Sequence, residues 1–375
     1  MTDKLLKDQL NESSVLALSA LLQTSGLNFD ADKFKSLLLD DLLQLELKQR
    51  VQLICSALEQ SLSDDISEQI TAFTKLPALV HSTHKLSAFE AWPLIDYIGH
   101  VGIEKPELAL PCLADLTQLF SAEFAIRPYI ERYQDLCFEF FKLWVKSDDE
   151  HVRRLVSEGT RSRLPWAAQL PRFRQKPELL EPFLTALSCD DSAYVRKSVA
   201  NNLNDISKDN AQWMLGLCHS WQQLSLDAAL AERRDWVIKH ACRTLVKAGN
   251  SEALALLGYS GKAKSVELKL EHTKIAWQGE LNFCCVVHNS NKSLNAVLDY
   301  RLEFQRKNGR SSKVFKLKNV NLRANETVQL NKCYSFAEIS TRRYYPGVHT
   351  IEILLNGDVV ARQSFELEAE LLLEA

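Results

Sequence analysis

Glycine is scarce in this chain of 375 residues, with 12 in all. None falls in a Walker-type phosphate loop, a Gly-x-Gly-x-x-Gly turn or a Gly-x-Ser-x-Gly elbow. Since those motifs carry nucleotide binding and acyl transfer, both kinds of chemistry are disfavoured. Metal motifs are missing too, and His81 and His84, which have helical ligand spacing, lack a third ligand nearby in the sequence. The sequence therefore predicts no metal site and no cofactor.

Long apolar runs are also missing. No stretch approaches the ~18–20 apolar residues that a membrane helix needs, and charged residues interrupt the first turns of the chain. We therefore expect neither a membrane span nor a secretory signal. Nine cysteines without regular spacing are typical of reduced thiols in a cytoplasmic protein. The adjacent Cys284 and Cys285 would point to opposite faces of a strand.

The net charge of −3 is small but unevenly distributed. Residues 1–120 carry 9 Lys and Arg against 17 Asp and Glu, whereas residues 121–264 carry 21 against 18 and residues 265–375 carry 15 against 13. A positive middle beside an acidic end is compatible with a focused basic groove.

The apolar pattern changes once along the chain. Up to about residue 258 it has helical spacing, as in "YIERYQDLCFEFFKLWV", and beyond the small, basic "GYSGKAKS" it alternates, as in "ELNFCCVVHN". We predict a helical domain over residues 1–258, a linker over 259–265 and a β-sandwich resembling the immunoglobulin fold over 266–375. The fold class is mostly α, with a smaller all-β part at the end.

The helical part contains an internal repeat. "DDEHVRRLVSEGT", "DDSAYVRKSVANNL" and "RRDWVIKHACRTL" align on Val152, Val195 and Val237, at spacings of 43 and 42 residues. This period is typical of HEAT-like helix pairs, which stack into a solenoid with a concave binding surface.

Polar residues recur at four-residue spacing after each aligned valine. Because this spacing places residues on one helix face, we expect three neighbouring columns rich in cations, suited to a phosphate backbone. The alternative is an ordinary solvated outer face. The columns are Arg154, Glu158 and Ser162; Lys197, Asn201 and Asp205; and Lys239, Arg243 and Lys247.

Carboxylates and a tryptophan lie near these cations. Glu123, Glu158 and Asp205 each have basic neighbours, and Trp166 follows Pro165, so it is expected to project from a helix end. For Glu123 and Asp205 taken alone, a structural ion pair explains the pattern as well as a catalytic role does. Four other tryptophans have apolar neighbours and are expected in the core: Trp92, Trp144, Trp213 and Trp236.

Four ordered segments carry a family resemblance: "SAEFAIRPYIERY", "EHVRRLVSEGTRSRLPW", "YVRKSVANNLNDISKDN" and "WVIKHACRTLVKAGN". Together with the leading helical segment they resemble the AlkC family of DNA-alkylation-repair glycosylases over residues 5–257. The strand-rich tail resembles the immunoglobulin-like domain carried by one branch of that family.

The resemblance implies a monofunctional DNA glycosylase that removes 3-methylcytosine and 3-methyladenine from double-stranded DNA without flipping the base. It also implies that the catalytic residues are Glu123, Glu158, Trp166 and Asp205. Arginines around Glu158, namely Arg161 and Arg163, become expected phosphate contacts beside Arg154, Lys197, Asn201, Lys239, Arg243 and Lys247.

The tail has its own basic run. Between residues 301 and 323 eight Lys and Arg residues accompany only one acid, Glu303. We expect Arg306, Lys307 and Arg310 to contact the DNA backbone as part of a second clamp, and a solvated hairpin is the alternative.

Two other functions stay open. HEAT-like repeats also serve as protein-binding scaffolds, and the fold could belong to a non-catalytic DNA binder. A solenoid with its own clamp is expected to act as a monomer.

Overall fold

The computed structural model describes residues 5–63, 65–82, 85–339 and 342–369. The chain divides into two compact units, Met1–Ala241 and Cys242–Ala375. The first unit is helical, and the second contains two short helices followed by strands. The predicted order of helices and then strands is confirmed. The domain boundaries at residues 258 and 266 stay a prediction.

Helices make up the first unit and the start of the second. In the described residues the α-helices are α1 (Glu12–Thr24), α2 (Ala31–Ser36), α3 (Leu47–Ser61), α4 (Ile66–Phe73), α5 (Leu76–Ser82), α6 (Ala88–Val101), α7 (Pro106–Leu116), α8 (Arg127–Arg132), α9 (Gln134–Trp144), α10 (Glu150–Gly159), α11 (Pro171–Gln175), α12 (Glu181–Leu187), α13 (Ala193–Ile206), α14 (Ala211–Gln222), α15 (Ala228–Ala241), α16 (Arg243–Lys247) and α17 (Ser251–Leu256). Short 3-10 helices lie at Leu6–Gln9, Leu42–Gln44, Gly102–Glu104 and Pro177–Leu180. No helix of the described residues is long and apolar enough to cross a membrane.

The repeat places α10, α13 and α15 side by side, with α13 packed against both of the others. The aligned valines Val152, Val195 and Val237 are all buried. The first two helices begin with side-chain caps, since Asp149 accepts from the amides of His151 and Val152, and Ser192 accepts from the amides of residues 194 and 195. Such caps satisfy amides that have no partner within the helix, so they fix where these two helices start.

The predicted polar columns are only partly right. Lys197, Asn201 and Asp205 all lie on α13, but α10 ends at Gly159, so Ser162 lies beyond it. In the third repeat α15 ends at Ala241, and the last two members of that column lie on α16 in the second unit. The expectation of a continuous four-residue column was therefore wrong for the first and third repeats, because neither helix continues far enough.

Gly159 ends α10 at a point of close packing. A methyl group at this position would lie 2.7 Å from Cγ2 of the fully buried Ile126. Only glycine therefore lets α10 approach the segment between α7 and α8, which carries Glu123.

The tryptophans differ in burial. Trp92 and Trp144 are buried as expected, and Trp213 is half-buried. Trp236 is 42% exposed, so its assignment to the core was wrong. Its ring stacks on His240 one turn later, with ring centroids 5.0 Å apart, because positions four apart share a helix face.

The strands of the second unit form two sheets. Neighbouring strands are antiparallel in both sheets, except for one short parallel pair. The strands are β1 (Ser265–Leu270), β2 (Lys274–Ile275), β3 (Glu280–His288), β4 (Leu294–Gln305), β5 (Arg310–Leu322), β6 (Thr327–Ser335), β7 (Gly347–Leu355) and β8 (Asp358–Leu367). One sheet has the order β1-β3-β6, and the other has the order β2-β8-β7-β4-β5.

Alternating side chains build the core between these strands. Leu281, Phe283, Cys285 and Val287 of β3 are buried, whereas the residues between them are half-buried. The expected opposite orientation of Cys284 and Cys285 is confirmed by their different burial, and all nine cysteines are free. The β7–β8 turn has the positive φ angles of a tight hairpin, 49° at Asn356 and 88° at Gly357.

Replacing Gly159 with alanine should destabilise the first unit, because the added methyl group must displace Ile126 or shift α10. We expect a loss of about 1–3 kcal/mol in the free energy of unfolding, measured by urea denaturation. Gly216 on α14 is the matched control, since a methyl group there meets no atom within 4 Å. Gly216→Ala should be neutral or stabilising by up to ~1 kcal/mol. Equal effects of the two substitutions would contradict this account.

Candidate functional site

Two predicted catalytic carboxylates are joined by one arginine. Arg161 donates from Nη1 to Oε1 of Glu158 at 2.7 Å and from Nε to Oδ2 of Asp205 at 2.8 Å. Glu158 comes from α10, Asp205 from α13, and their exposed fractions are 5% and 3%. The arginine therefore links equivalent helices of two neighbouring repeats at a buried position.

The third carboxylate joins the same network through a second arginine. Arg154 lies 3.0 Å from Oε2 of Glu123 and 3.6 Å from Oε1 of Glu158. Its Nη1 also donates to Ser121 Oγ, which in turn donates to Glu123, each at 2.8 Å. The guanidinium carbon lies 4.4 Å from the ring centroid of Tyr194, a cation–π contact. The structure thus brings Glu123, Glu158 and Asp205 into one chain of alternating charges.

Serine and asparagine side chains of α13 complete the buried network. Ser198 donates to Oε2 of Glu158 at 2.6 Å, and Asn202 donates to the Ser157 carbonyl at 2.8 Å. Ser198, Asn202 and Asp205 lie four and three positions apart, so they share the face of α13 that meets α10. This buried stripe is shifted by one position from the predicted column at Lys197 and Asn201. Counting polar residues at both three- and four-residue spacing would have found it.

Arg161 itself is 8% exposed. Burial lowers the pKa of this guanidinium, but the charges of Glu158 and Asp205 and their hydrogen bonds outweigh that effect, so its pKa is raised. Its predicted contact with a phosphate stays a prediction. In the described structure its donors hold the two carboxylates, a role that the sequence did not indicate.

Trp166 lies in the segment that follows α10. It is 62% exposed, as expected for a residue that projects from a helix end, and its φ of 66° is in the left-handed region. A bulky side chain with this backbone conformation is unusual and costs on the order of 1–3 kcal/mol, so the surrounding contacts must hold it there.

Arg127 and Lys48 provide those contacts. Arg127 donates to the carbonyls of Gly159 and Arg161, each at 2.9 Å, and to the carbonyl of Ala168. Lys48 donates to the carbonyl of Trp166 at 2.5 Å. Burial lowers the pKa of Arg127 to about 10, so it stays charged at neutral pH. The buried guanidinium of Arg127 therefore connects the Trp166 segment to the carbonyls of Gly159 and Arg161. No local sequence motif indicated this contact.

Arg163 forms a separate cluster. It donates from Nε and Nη2 to Asp209 at 3.0 and 2.8 Å, and Arg174 donates to the same carboxylate at 3.1 and 2.9 Å. The hydrogen bonds from these two arginines lower the pKa of Asp209 to about 2. Two guanidinium groups around one carboxylate leave a net positive charge beside the Trp166 segment.

The remaining predicted DNA contacts are spread over both units. Lys197 and Lys239 are exposed and Asn201 is half-buried in the first unit, whereas Arg243 and Lys247 are exposed on α16 of the second. Because these contacts concern a bound partner, they stay predictions.

The basic tail residues surround the hairpin of β4 and β5. Arg306 donates to Ser311 Oγ at 2.7 Å and to the Arg343 carbonyl at 3.0 Å, and Lys307 and Arg310 are exposed. β5 is an edge strand. Lysines on an edge strand also prevent association with other strands, so this run has a structural explanation besides DNA binding.

The described residues hold no group of three or more His, Cys, Asp and Glu side chains that could bind a metal ion. His84 lies outside the described residues.

Comparison with known proteins places the chain in a family. Its residues 264–369 match the family described as "Uncharacterised protein YhaZ, C-terminal Ig-like domain". YhaZ of Bacillus subtilis (strain 168) is 33% identical over 367 residues, which are 96% of this chain and 99% of that protein. The solved structure of Pseudomonas fluorescens alkylpurine DNA glycosylase AlkC, bound to DNA containing an abasic site analog, is 31% identical, with a TM-score of 0.79. That match covers 98% of this chain and 100% of the other.

This chain belongs to the AlkC-type family. The resemblance stated from the sequence is confirmed for the helical repeats and for the immunoglobulin-like domain. In this family member the carboxylates expected from the family's motif lie in one network, in which Glu158 and Asp205 are buried and Glu123 is half-buried. The tryptophan lies in the segment whose Ala168 carbonyl Arg127 binds.

The pKa of Asp209 leads to a pH-dependent prediction. A carboxylate with a pKa lowered from 3.8 to about 2 stabilises the folded state above about pH 4, and this contribution is lost as the pH falls toward 2. Asp209→Asn should therefore lower the free energy of unfolding by about 1 kcal/mol at pH 5, after allowance for solvent screening. The difference from the wild type should shrink in urea titrations at pH 4 and 3.

Arg174→Gln serves as the partial control, because it removes one of the two guanidinium partners. A deficit of Asp209→Asn that is the same at pH 5 and pH 3 would contradict the assignment.

Proposed function

We propose that this protein is a monofunctional DNA glycosylase that hydrolyses the N-glycosidic bond of cationic alkylated bases, namely 3-methylcytosine and 3-methyladenine. The observation that carries the proposal is the sharing of Arg161 by Glu158 and Asp205, from adjacent repeats. The family membership supports it, since the structurally similar AlkC is an alkylpurine DNA glycosylase bound to DNA.

The chemistry of the lesion explains why carboxylates are sufficient to catalyse release of the base. Methylation at N3 gives the base a positive charge, so it leaves without a strong general acid. When the bond breaks, its electron pair goes to the base, which departs uncharged, and the sugar acquires oxocarbenium character. Water then supplies hydroxide to C1′, and its second proton passes to a nearby base.

The network offers groups for both tasks. Glu158 and Asp205 share Arg161, and Asp205 also accepts from Lys208 at 2.9 Å, so the two negative charges are matched by two positive ones. A carboxylate would therefore stabilise the cationic sugar through its own nearby oxygen atoms rather than through a net charge of the network. We assign water positioning and charge stabilisation to these two residues, with Glu123 in support. Their low exposure increases the strength of the electrostatic interaction. Trp166 adds a ring that can contact the sugar or the lesion, worth ~0.5–2 kcal/mol as a cation–π interaction.

We further propose that the base is excised without being flipped into a pocket. A cavity lined by Trp166 does not include Glu123, Glu158 or Asp205 among its lining residues. A base placed in that cavity would therefore not bring its own glycosidic bond to the carboxylates. This arrangement favours attack on a lesion that stays at the surface of the network.

Phosphate binding is assigned to cations of both units. In the first unit these are Arg154, Arg161, Arg163, Lys197 and Lys239, together with the amide of Asn201, and Arg161 would contribute only after exchanging a carboxylate partner. In the second unit they are Arg243, Lys247, Arg306, Lys307 and Arg310. We also propose that the protein is cytoplasmic and acts as a monomer.

One observation favours a second candidate, a non-catalytic DNA binder. Glu158 and Asp205 are each paired with an arginine and nearly inaccessible, as in a purely structural ion network. An assay of the wild-type protein distinguishes the two candidates, because a non-catalytic binder would release no base from DNA. The protein-scaffold alternative predicts that duplex DNA does not bind.

Substitution of either main carboxylate should abolish chemistry while keeping DNA binding. Glu158→Gln and Asp205→Asn should lower the single-turnover release of 3-methylcytosine from duplex DNA by about 10²–10⁴-fold, because the sugar cation loses its stabilising charge. Affinity for the same DNA, measured by fluorescence anisotropy, should change little.

Asp135→Asn is the matched control, since Asp135 is an exposed aspartate at the start of α9. It should release the base at the wild-type rate. Thermal unfolding of each variant shows whether a lost activity reflects a lost fold. Folded Glu158→Gln and Asp205→Asn variants with wild-type release rates would refute the assignment.

The basic hairpin of the second unit should contribute to DNA affinity through charge. Replacing both Lys307 and Arg310 with glutamine should reduce the salt dependence of DNA binding. The slope of the logarithm of DNA affinity against the logarithm of salt concentration should become smaller in magnitude by about 2, since each phosphate contact contributes about 0.9. The control variant neutralises Lys269 and Lys332, which are exposed on the other sheet. If both double variants keep the wild-type slope, the hairpin does not bind phosphate.

A further inference from the structure

A cavity in the first unit lies beside Trp166 and is separate from the carboxylate network. It has a volume of about 290 Å³, close to the lower end of the ~300–1,000 Å³ range of small-molecule sites. Its lining includes Lys48, Trp92, Asp96, Phe124, Arg127 and Trp166. The proposed reaction uses only Trp166 of this group.

The aromatic wall of the cavity is rigid on one side. Trp92 is buried, and its ring stacks on Phe120 and on Phe124, with each pair of centroids 5.5 Å apart. On the other side the Trp166 side chain is largely exposed, and its backbone carbonyl accepts a hydrogen bond from Lys48. A fixed ring and an accessible ring favour a flat heteroaromatic ligand.

The polar groups of the cavity differ in what they offer a ligand. Lys48 and Arg127 already donate to backbone carbonyls, as described above. Asp96 accepts one hydrogen bond, from Trp92 Nε1 to its Oδ2 at 2.9 Å. Among the described residues no Lys or Arg nitrogen lies within 4.0 Å of the Asp96 carboxylate. The cavity therefore presents an anionic acceptor to a ligand that carries N–H donors.

The environment of Asp96 agrees with such a role. Burial raises the pKa of this carboxyl to about 6, although the Trp92 hydrogen bond and the charge of Lys48 act in the opposite direction. Asp96 is thus mostly ionised at neutral pH. A ligand that donates to it would offset part of the unfavourable burial.

We propose that this cavity binds the methylated base after its release, as 3-methylcytosine or 3-methyladenine. The ring lies against Trp166 and Trp92, and the N–H donors of the base point to Asp96. Carboxylates are suitable acceptors for the nitrogen-4 donor of cytosine. The choice of ligand rests on the proposed glycosylase function, but binding itself requires no catalysis.

The test is calorimetric titration of the full-length protein with free bases at pH 7.5, without DNA. 3-Methylcytosine should bind with a Kd on the order of 0.1–1 mM, as expected for so small a ligand. 3-Methyluracil has the same shape but an oxygen in place of nitrogen-4, so it presents an acceptor to Asp96. It should bind at least about tenfold more weakly.

Two variants and a control locate the site. Asp96→Asn should remove the preference for 3-methylcytosine over 3-methyluracil. Ala168→Phe places a bulky ring at an exposed position of the cavity rim and should weaken binding roughly tenfold while Asp96 stays intact. Asp115→Asn on α7, a half-buried aspartate outside the cavity, should bind like the wild type. If Asp96→Asn fails to fold, Ala168→Phe alone decides the location.

Equal affinity for the two bases, no binding at millimolar concentrations, or unchanged binding by both variants would overturn the proposal. A protein that binds 3-methylcytosine but releases no base from DNA would instead refute the glycosylase function and leave the cavity assignment intact. A protein that releases the base from DNA but does not bind the free base would refute the cavity assignment and leave the glycosylase function intact.

Discussion

The buried guanidinium of Arg161 is the interaction on which the candidate site depends. It lies between Glu158 and Asp205, at 2.7 and 2.8 Å, where neither carboxylate is well exposed to water. Two carboxylates brought this close without a cation would repel each other and would be costly to desolvate. The arginine thus allows two repeats to place acidic groups together. Its position follows from α10 ending at Gly159, two residues before Arg161.

The geometry around Arg161 depends in turn on hydrogen bonds between α10 and α13, although the buried Oδ1 of Asn202 has no partner among the described residues. Ser198 satisfies one oxygen of Glu158, and Asn202 satisfies the Ser157 carbonyl. A buried polar network is stabilising only when its members are paired, because each unpaired group retains its desolvation cost. Arg127 extends the same principle to the Trp166 segment, whose carbonyls it binds. Substitutions within this network are therefore expected to be coupled rather than additive.

The sequence predicted the order of helices and strands and the repeat of 42 to 43 residues, whose aligned valines Val152, Val195 and Val237 are all buried in the structure. These features depend on local periodicity, which a single sequence records. The polar columns were less successful, because a four-residue spacing identifies a face only while the helix continues. Contacts such as that between Arg127 and Ala168, which lie 41 positions apart, have no local signal. The same limitation explains Trp236, whose apolar neighbours did not determine which face its ring occupies.

We propose that the carboxylate network breaks a glycosidic bond and does not only stabilise two repeats. The most direct measurement is incubation of the wild-type protein with duplex DNA that carries one 3-methylcytosine, with chromatographic quantification of the free base and of abasic sites. We expect one free base and one abasic site for each lesion, with both strands intact. Tight binding of the lesion-containing duplex with the methylated base still attached would contradict it.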